Sequence, residues 1–314
     1  MLAFIIKRLL TTIPTILLVT VVVFGILRIT PGGPAVAMLG EQASPEAVAA
    51  LRHKLGLDQP LYRQYLHWLG GALHGDLGRS AFGNQPVTEL IVQRIMPTAE
   101  LGFLALLISL LIGLTLGIVA AVRHNSLSDA ISSFIAILGV STPSFWLAIL
   151  LVLIFAVKLH WLPALGYVSP LADPLTNLKQ MILPSITLGV ILAAVVTRFT
   201  RAAMLDALYQ DYVRTARAKG APESRVMRNH ILRNALLPIV TMLGMDVAAA
   251  LGGAIFTETV FGLNGLGYNA IQAIGNYDSP TVMGIIVFAT TAIIVMNLIV
   301  DLLYAWIDPR IRLA

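Results

Sequence analysis

Six stretches of this sequence are apolar for long enough to cross a bilayer, which leaves few folds open. They run approximately from Leu9 to Ile29, Leu101 to Val122, Ala130 to Val157, Met181 to Thr197, Ala235 to Phe261 and Val282 to Val300. A hydrocarbon core about 30 Å thick is spanned by roughly 20 helical residues. Inside it no backbone N–H or C=O can go unpaired, so each run is expected to be a helix. The expected fold is therefore an all-α membrane protein with six transmembrane helices. Composition agrees, at 57% hydrophobic and 12% charged residues. Lys7 and Arg8 ahead of the first run resemble the start of a signal peptide, but the run is too long and no small-residue cleavage site follows, so a retained helix is expected.

The chain contains no cysteine, which excludes a disulfide framework and thiolate metal sites. Its net charge of +5 has two readings, a polyanionic partner or the positive-inside bias of membrane proteins. With the amino terminus in the cytoplasm, the inner segments 1–8, 123–129, 198–234 and 301–314 hold thirteen of the 21 Lys and Arg residues. The two short outer loops hold only Lys158 and Lys179. Both termini are thus expected in the cytoplasm. The basic residues flank helices and form no aromatic-interleaved stripe, so no nucleic-acid partner is expected.

The chain divides into residues 1–29 (amino terminus and first helix), 30–98 (an extracytoplasmic insertion) and 99–314 (the remaining five helices). Within the insertion, Ser44, Pro45, Glu46 and Gly56 punctuate a helix over about 45–55, and an amphipathic stretch follows from Leu61 to Leu69. A bland lid over the bundle and a docking surface for a soluble partner are both compatible with this.

The inner segment 198–234 is the most informative. Met204, Leu205, Leu208, Tyr212 and Ala216 recur at helical spacing, and Gly220 stands where a left-handed residue is needed. The expectation is a helix, a glycine turn, and a second helix from near Pro222. Its eight basic residues, among them Arg214, Arg217 and Lys219, are set against Asp206, Asp211 and Glu223. The positive-inside rule accounts for most of them, yet a helix–Gly–helix projecting from the membrane also invites a partner.

Catalytic signatures are missing. There is no Gly-Lys-Ser/Thr phosphate loop, no His-Glu-x-x-His and no Gly-x-Ser-x-Gly. The cluster Gly262, Gly265 and Gly267 has the wrong spacing for a nucleotide and reads as a turn. An ion-coupled carrier usually keeps ionisable groups within the bilayer. Here only Asp246 and Glu258 qualify, with Asp301 at the inner end of the sixth run. For Asp246, proton coupling, pairing with a neighbouring helix and closeness to a water-filled path all stay open; Glu258, near the outer end, is expected to be solvated.

The segment Tyr212-Val-Arg-Thr-Ala-Arg-Ala-Lys-Gly220, with Leu237-Pro238 eighteen residues on, resembles the EAA loop of ABC importer permeases, in the variant of the dipeptide, oligopeptide, nickel and glutathione family. The family's Glu-Ala-Ala corresponds to Arg214, Thr215 and Ala216, so the glutamate is absent here. Phe4 to Arg8, Gly75-Asp-Leu-Gly78, Ser141-Thr-Pro-Ser-Phe-Trp146, Glu258-Thr-Val-Phe261, Gly265-Leu-Gly267 and Asp308-Pro-Arg310 also look like the family's pattern, in its order.

The resemblance implies a type I, binding-protein-dependent importer of the bacterial cytoplasmic (inner) membrane. This multi-pass chain would be the first permease of a pair, joined by a second homologous permease, two cytoplasmic ATPases and an extracytoplasmic substrate-binding protein. ATP and Mg would belong to the ATPases, with no cofactor or metal on this chain. Arg214, Thr215, Ala216, Arg217, Ala218, Lys219, Gly220, Ala221 and Pro238 would couple it to the ATPase, Pro238 marking re-entry into the bilayer near a helix start. Ser141, Pro143, Asp246 and Glu258 are candidates for the translocation pathway. Pro143 should bend the third helix, and Gly113 and Gly117 form a Gly-x-x-x-Gly pair suited to close helix approach. The substrate expected is a di- or oligopeptide; the rival reading is a gradient-driven carrier or channel without ATPases.

Overall fold

A computed structural model describes residues 2–29, 35–36, 39, 43–54 and 56–307, with side chains described from residue 12 onward except at 237, 241, 301 and 303–307. The described chain is helical, with an isolated antiparallel bridge between Arg79 and Pro86. The helices are α1 (Leu2–Arg28), α2 (Pro45–Lys54), α3 (Leu61–Leu73), α4 (Val87–Val122), α5 (Leu127–Ser141), α6 (Ser144–Leu151), α7 (Pro174–Leu208), α8 (Asp211–Ala218), α9 (Arg233–Phe261), α10 (Leu266–Gly275) and α11 (Ser279–Ile307). Two π-helical stretches, Val152–Lys158 and Val226–Leu232, extend α6 and lead into α9.

By length and composition four helices can cross a membrane, and a fifth span is completed if α5 and α6 count as one; the apolar part of α1, Thr12–Arg28, is shorter. All four extend past the apolar runs that mark them, α4 and α7 by the most. α4 begins fourteen residues before Leu101, because Val87 and Ile91 bury one face of its first turns while Glu89 and Gln93 stay outside. α7 likewise extends past both ends of its run, started by the Asp173 side chain, which accepts from the Leu175 and Thr176 N–H groups, with Pro174 in first position.

The chain forms two compact units. In the first (Met1–Met96 and Asn264–Ile294), α3 lies on α1 through a Thr20–Tyr65 hydrogen bond of 2.9 Å and an edge-on contact between Phe24 and Tyr65. Val87, Ile91, Leu266 and Ile285 make its core. Gly56, in the left-handed region, follows α2 as the sequence suggests, and Ser44 Oγ accepts from the Ala47 N–H at its start.

The second unit (Pro97–Leu263 and Val295–Ala314) is built around α7, of whose apolar span 67% is buried, against 22–33% for the other three. α7 is therefore the central post, and α4, α5, α6 and α9 lean on it. Close approach of α4 depends on small residues. A Cβ on Gly113 would come within 2.5 Å of the Val196 Cβ, and one on Gly117 within 2.5 Å of that of Thr200. The Gly-x-x-x-Gly pair thus faces α7.

The third apolar run differs from expectation. Instead of one bent helix, α5 ends at Ser141, Thr142 and Pro143 take extended dihedrals, and α6 leaves at 101° to α5. The residue before a proline is pushed out of the α region by the ring. Thr142 Oγ1 meanwhile donates to the Leu138 carbonyl at 2.7 Å, satisfying a group that the ended ladder leaves open.

Candidate coupling site

The segment expected to couple lies between α7 and α9. α7 runs to Leu208; Tyr209 and Gln210 break it, and α8 starts afresh at Asp211. The break rotates the apolar face. Val213 and Ala216 become the buried pair, at 0% and 9% exposure, while Tyr212 is 39% exposed. They pack on Met204, Val226, Ile231, Ala235 and Ile239, which anchors α8 to the ends of α7 and α9. Sequence spacing alone chose Tyr212 because it assumed one unbroken helix. Ala216 is buried as the spacing suggests; the missed signal is Val213, three residues before it and bracketed with it by polar residues.

α8 closes as expected at Gly220, whose φ is +78°. The Gly220 N–H bonds the Arg217 carbonyl at 2.9 Å and the Ala221 N–H the Ala216 carbonyl at 3.2 Å, the paired bonds of a Schellman cap. A Cβ at Gly220 would meet nothing within 4 Å, so glycine is there for its dihedrals and not for space. Around this cap Arg214, Thr215, Arg217, Ala218 and Lys219 are exposed. Arg217 donates to both carboxylate oxygens of Glu223, at 2.6 and 3.1 Å, bridging the turn; this holds the Glu223 carboxyl below the usual carboxylate range and the Arg217 guanidinium above its own.

Pro238 sits elsewhere than expected. It is exposed and six residues inside α9 rather than near a helix start, because the turn Glu223–Arg225 and the π-helical stretch already begin the helix at Pro222.

Beside this segment is a cluster that the charge count hid. Asp129, in the first turn of α5, takes two hydrogen bonds from Arg201 of α7, at 2.6 and 2.9 Å. It also lies 3.0 Å from His124 Nδ1 and accepts from the Asn125 N–H. Arg201 read only as part of the positive surplus, since nothing local to it discloses a partner 72 residues away.

Of the pathway candidates, Ser141 and Pro143 are exposed at the α5–α6 break. Asp246 is buried in α9, its Oδ2 without a hydrogen-bond partner, and it shares no hydrogen bond with Ser141. Glu258 corrects its expectation: it is fully buried, and Thr98 Oγ1 of α4 donates to it at 2.5 Å. Nearness to a helix end suggested water, but the residue faces inward. Gly262, left-handed at φ +60°, caps α9, and Gly265 precedes α10, so the glycine cluster is a turn. The terminal Asp308-Pro-Arg310 lies outside the described residues.

A bundle of long apolar helices around a central post, interrupted by a capped basic turn, is the architecture of a transporter permease. The solved structures agree. An inward-facing MetNI methionine ABC transporter matches with a TM-score of 0.57 at 18% identity, over 70% of this chain and 96% of that one. An amino acid ABC transporter matches at 0.52 and 21% identity, over 69% and 94%. In sequence, residues 113–313 match the family described as the binding-protein-dependent transport system inner membrane component, and residues 1–102 match its N-terminal component. The dipeptide transport system permease protein DppB of Alkalihalophilus pseudofirmus is 41% identical over 99% of this chain and all of that protein. The glutathione transport system permease protein GsiC of Escherichia coli (strain K12) is 43% identical over 99% of both. The chain belongs to this family of ABC importer permeases, as a multi-pass protein of the bacterial inner membrane.

Proposed function

We propose that this chain is the first permease of a heteromeric importer and carries di- or oligopeptides inward by alternating access. The observation that carries this is α8: its apolar face is anchored to α7 and α9, while its basic face and glycine cap are exposed. Such a lever can pass a displacement at its exposed face to two long helices, and packed helices respond by switching between discrete arrangements. The grip would come from one of two partner ATPases, acting also on a second permease, with a binding protein delivering substrate. Peptides as cargo rest on the similarity to permeases named for dipeptide and glutathione transport. Six membrane passes with both termini inside complete the reading.

The test uses the assembled complex in vesicles. Gly220→Val should leave assembly intact while ATP-dependent dipeptide uptake falls by an order of magnitude or more, since a β-branched residue resists the left-handed dihedrals. Uptake at the normal level, or a cysteine at Lys219 that never crosslinks to an ATPase, would sink the proposal.

A further inference from the structure

The Arg201 guanidinium joins three segments of the second unit. Its Nε donates to Asp129 Oδ1 at 2.6 Å and its Nη2 to Asp129 Oδ2 at 2.9 Å, a two-pronged grip on the first turn of α5. The same Nη2 lies 3.1 Å from His124 Nδ1, and Asp129 Oδ2 also accepts from the Asn125 N–H at 3.0 Å, so the turn that follows α4 is held as well. Only 7% of the Asp129 side chain is exposed. A shielded ion pair adds little net stability over a well-packed apolar contact. A planar fork on a carboxylate does fix distance and orientation, so α5 cannot slide or rotate on α7 without breaking both bonds.

The position of this fork relates it to the coupling segment. Three residues after Arg201, Met204 is fully buried in the cluster that holds Val213 and Ala216 of α8. At its other end α5 meets α7 again, where a Cβ on Gly139 would come within 2.7 Å of the Ala194 Cβ. Held at both ends, α5 belongs with α7 as far as Ser141. Past the break at Thr142 and Pro143 the contacts change: Ala148 of α6 packs in a cluster with Ala250 and Ala254 of α9 as well as Leu188 and Leu192 of α7. The break is thus where a segment fixed to α7 alone gives way to one shared with α9.

We propose that Asp129 and Arg201, braced by His124, are positioning residues of the transport cycle. They lock α5 to the inner end of α7, so that a displacement of α8 travels along α5 and re-aims the exposed Ser141, Phe145 and Trp146 at the break. Neither residue touches substrate or ATPase. The proposal rests on the coupling reading of α8 and adds a second route from it into the membrane, and packed helices joined in this way switch between discrete arrangements.

The experiment uses the assembled complex in vesicles with its binding protein, and reads dipeptide uptake per ATP hydrolysed in one sample. Asp129→Asn and Arg201→Gln should assemble and hydrolyse ATP, with that ratio lowered about fivefold, within the range by which residues remote from both ligands modulate coupling. Arg201→Lys, which keeps the charge and loses the fork, should fall between these and the wild type. Asp129→Ala/Arg201→Ala carries no stranded charge, so its melting temperature should recover relative to Arg201→Ala while the ratio stays low. A ratio that recovers together with the melting temperature would overturn the proposal. So would an unchanged ratio in the single variants, with uptake and hydrolysis falling in proportion, or a double variant that cannot assemble, since each marks the fork as a folding contact only. Failure of the coupling reading is distinguishable: Gly220→Val would then import normally, or the wild-type complex would show no ATP-driven uptake.

Discussion

Asp278 shows how much a single side chain can hold. Its two carboxylate oxygens accept from the Ser80 hydroxyl at 2.5 Å, the Ala81 N–H at 3.1 Å, and both the N–H and hydroxyl of Thr281 at 3.4 and 2.8 Å, so it caps α11 and pins the 79–86 turn at once. Asp278→Ala leaves a buried hydroxyl and an amide unpaired, and should cost about 1–3 kcal/mol, read as a lowered melting temperature in detergent; Asp278→Asn should recover part of it. At Gly220 the expected loss on Gly220→Ala is about 1–2 kcal/mol, local to the cap, and faster amide exchange at Gly220 and Ala221 would report it. The Arg217–Glu223 bridge adds a pH dependence. The Glu223 carboxyl is depressed in the folded chain, so its contribution is present above the ordinary carboxylate range and is lost as pH falls through the depressed value. Both groups are largely exposed, so the effect is small and screened by salt. Amide exchange around residues 217–223 should quicken on acidification, and Glu223→Gln should abolish that change.

At the scale of elements, packing of α4 on α7 is the contact least able to absorb added volume. Gly117→Val would drive methyl groups into Thr200 and the Thr197 carbonyl and should destabilise by about 1–3 kcal/mol or more, with less folded chain recovered in the membrane. Gly70, half-buried but with nothing within 4 Å of where a Cβ would stand, serves as the control. The Asp129–Arg201 pair ties the start of α5 to α7. Removing Arg201 strands a carboxylate with only 7% of its side chain exposed, whereas removing both partners removes the stranded charge. Asp129→Ala/Arg201→Ala should therefore melt above Arg201→Ala alone. Equal or additive losses would mean that the pair is not coupled.

Across the whole molecule, large apolar side chains such as Phe103, Ile131, Phe134 and Trp146 remain outside, more than 50% exposed. In a water-soluble monomer this would drive aggregation; in a membrane permease lipid or a second permease covers it. The absence of native cysteine makes the proposed topology directly testable. A cysteine at Lys219 should react with a membrane-impermeant maleimide only from the cytoplasmic side, and one at Glu46 only from the opposite side. Labelling of both from one side would break the assignment of passes. What the sequence determined alone was whatever depends on neighbours along the chain: apolar length, which fixes helices in lipid; glycine at Gly56, Gly220 and Gly262, which fixes where helices stop; and the Gly113–Gly117 pair, which fixes a face. Tertiary structure decided what depends on residues far apart in the chain. The inward turn of Glu258 to Thr98, the partners of Asp129 and Asp278 and the hollow beneath Arg28 arise only when distant segments meet, because burial and hydrogen bonding are set by what lies across the contact and not by spacing.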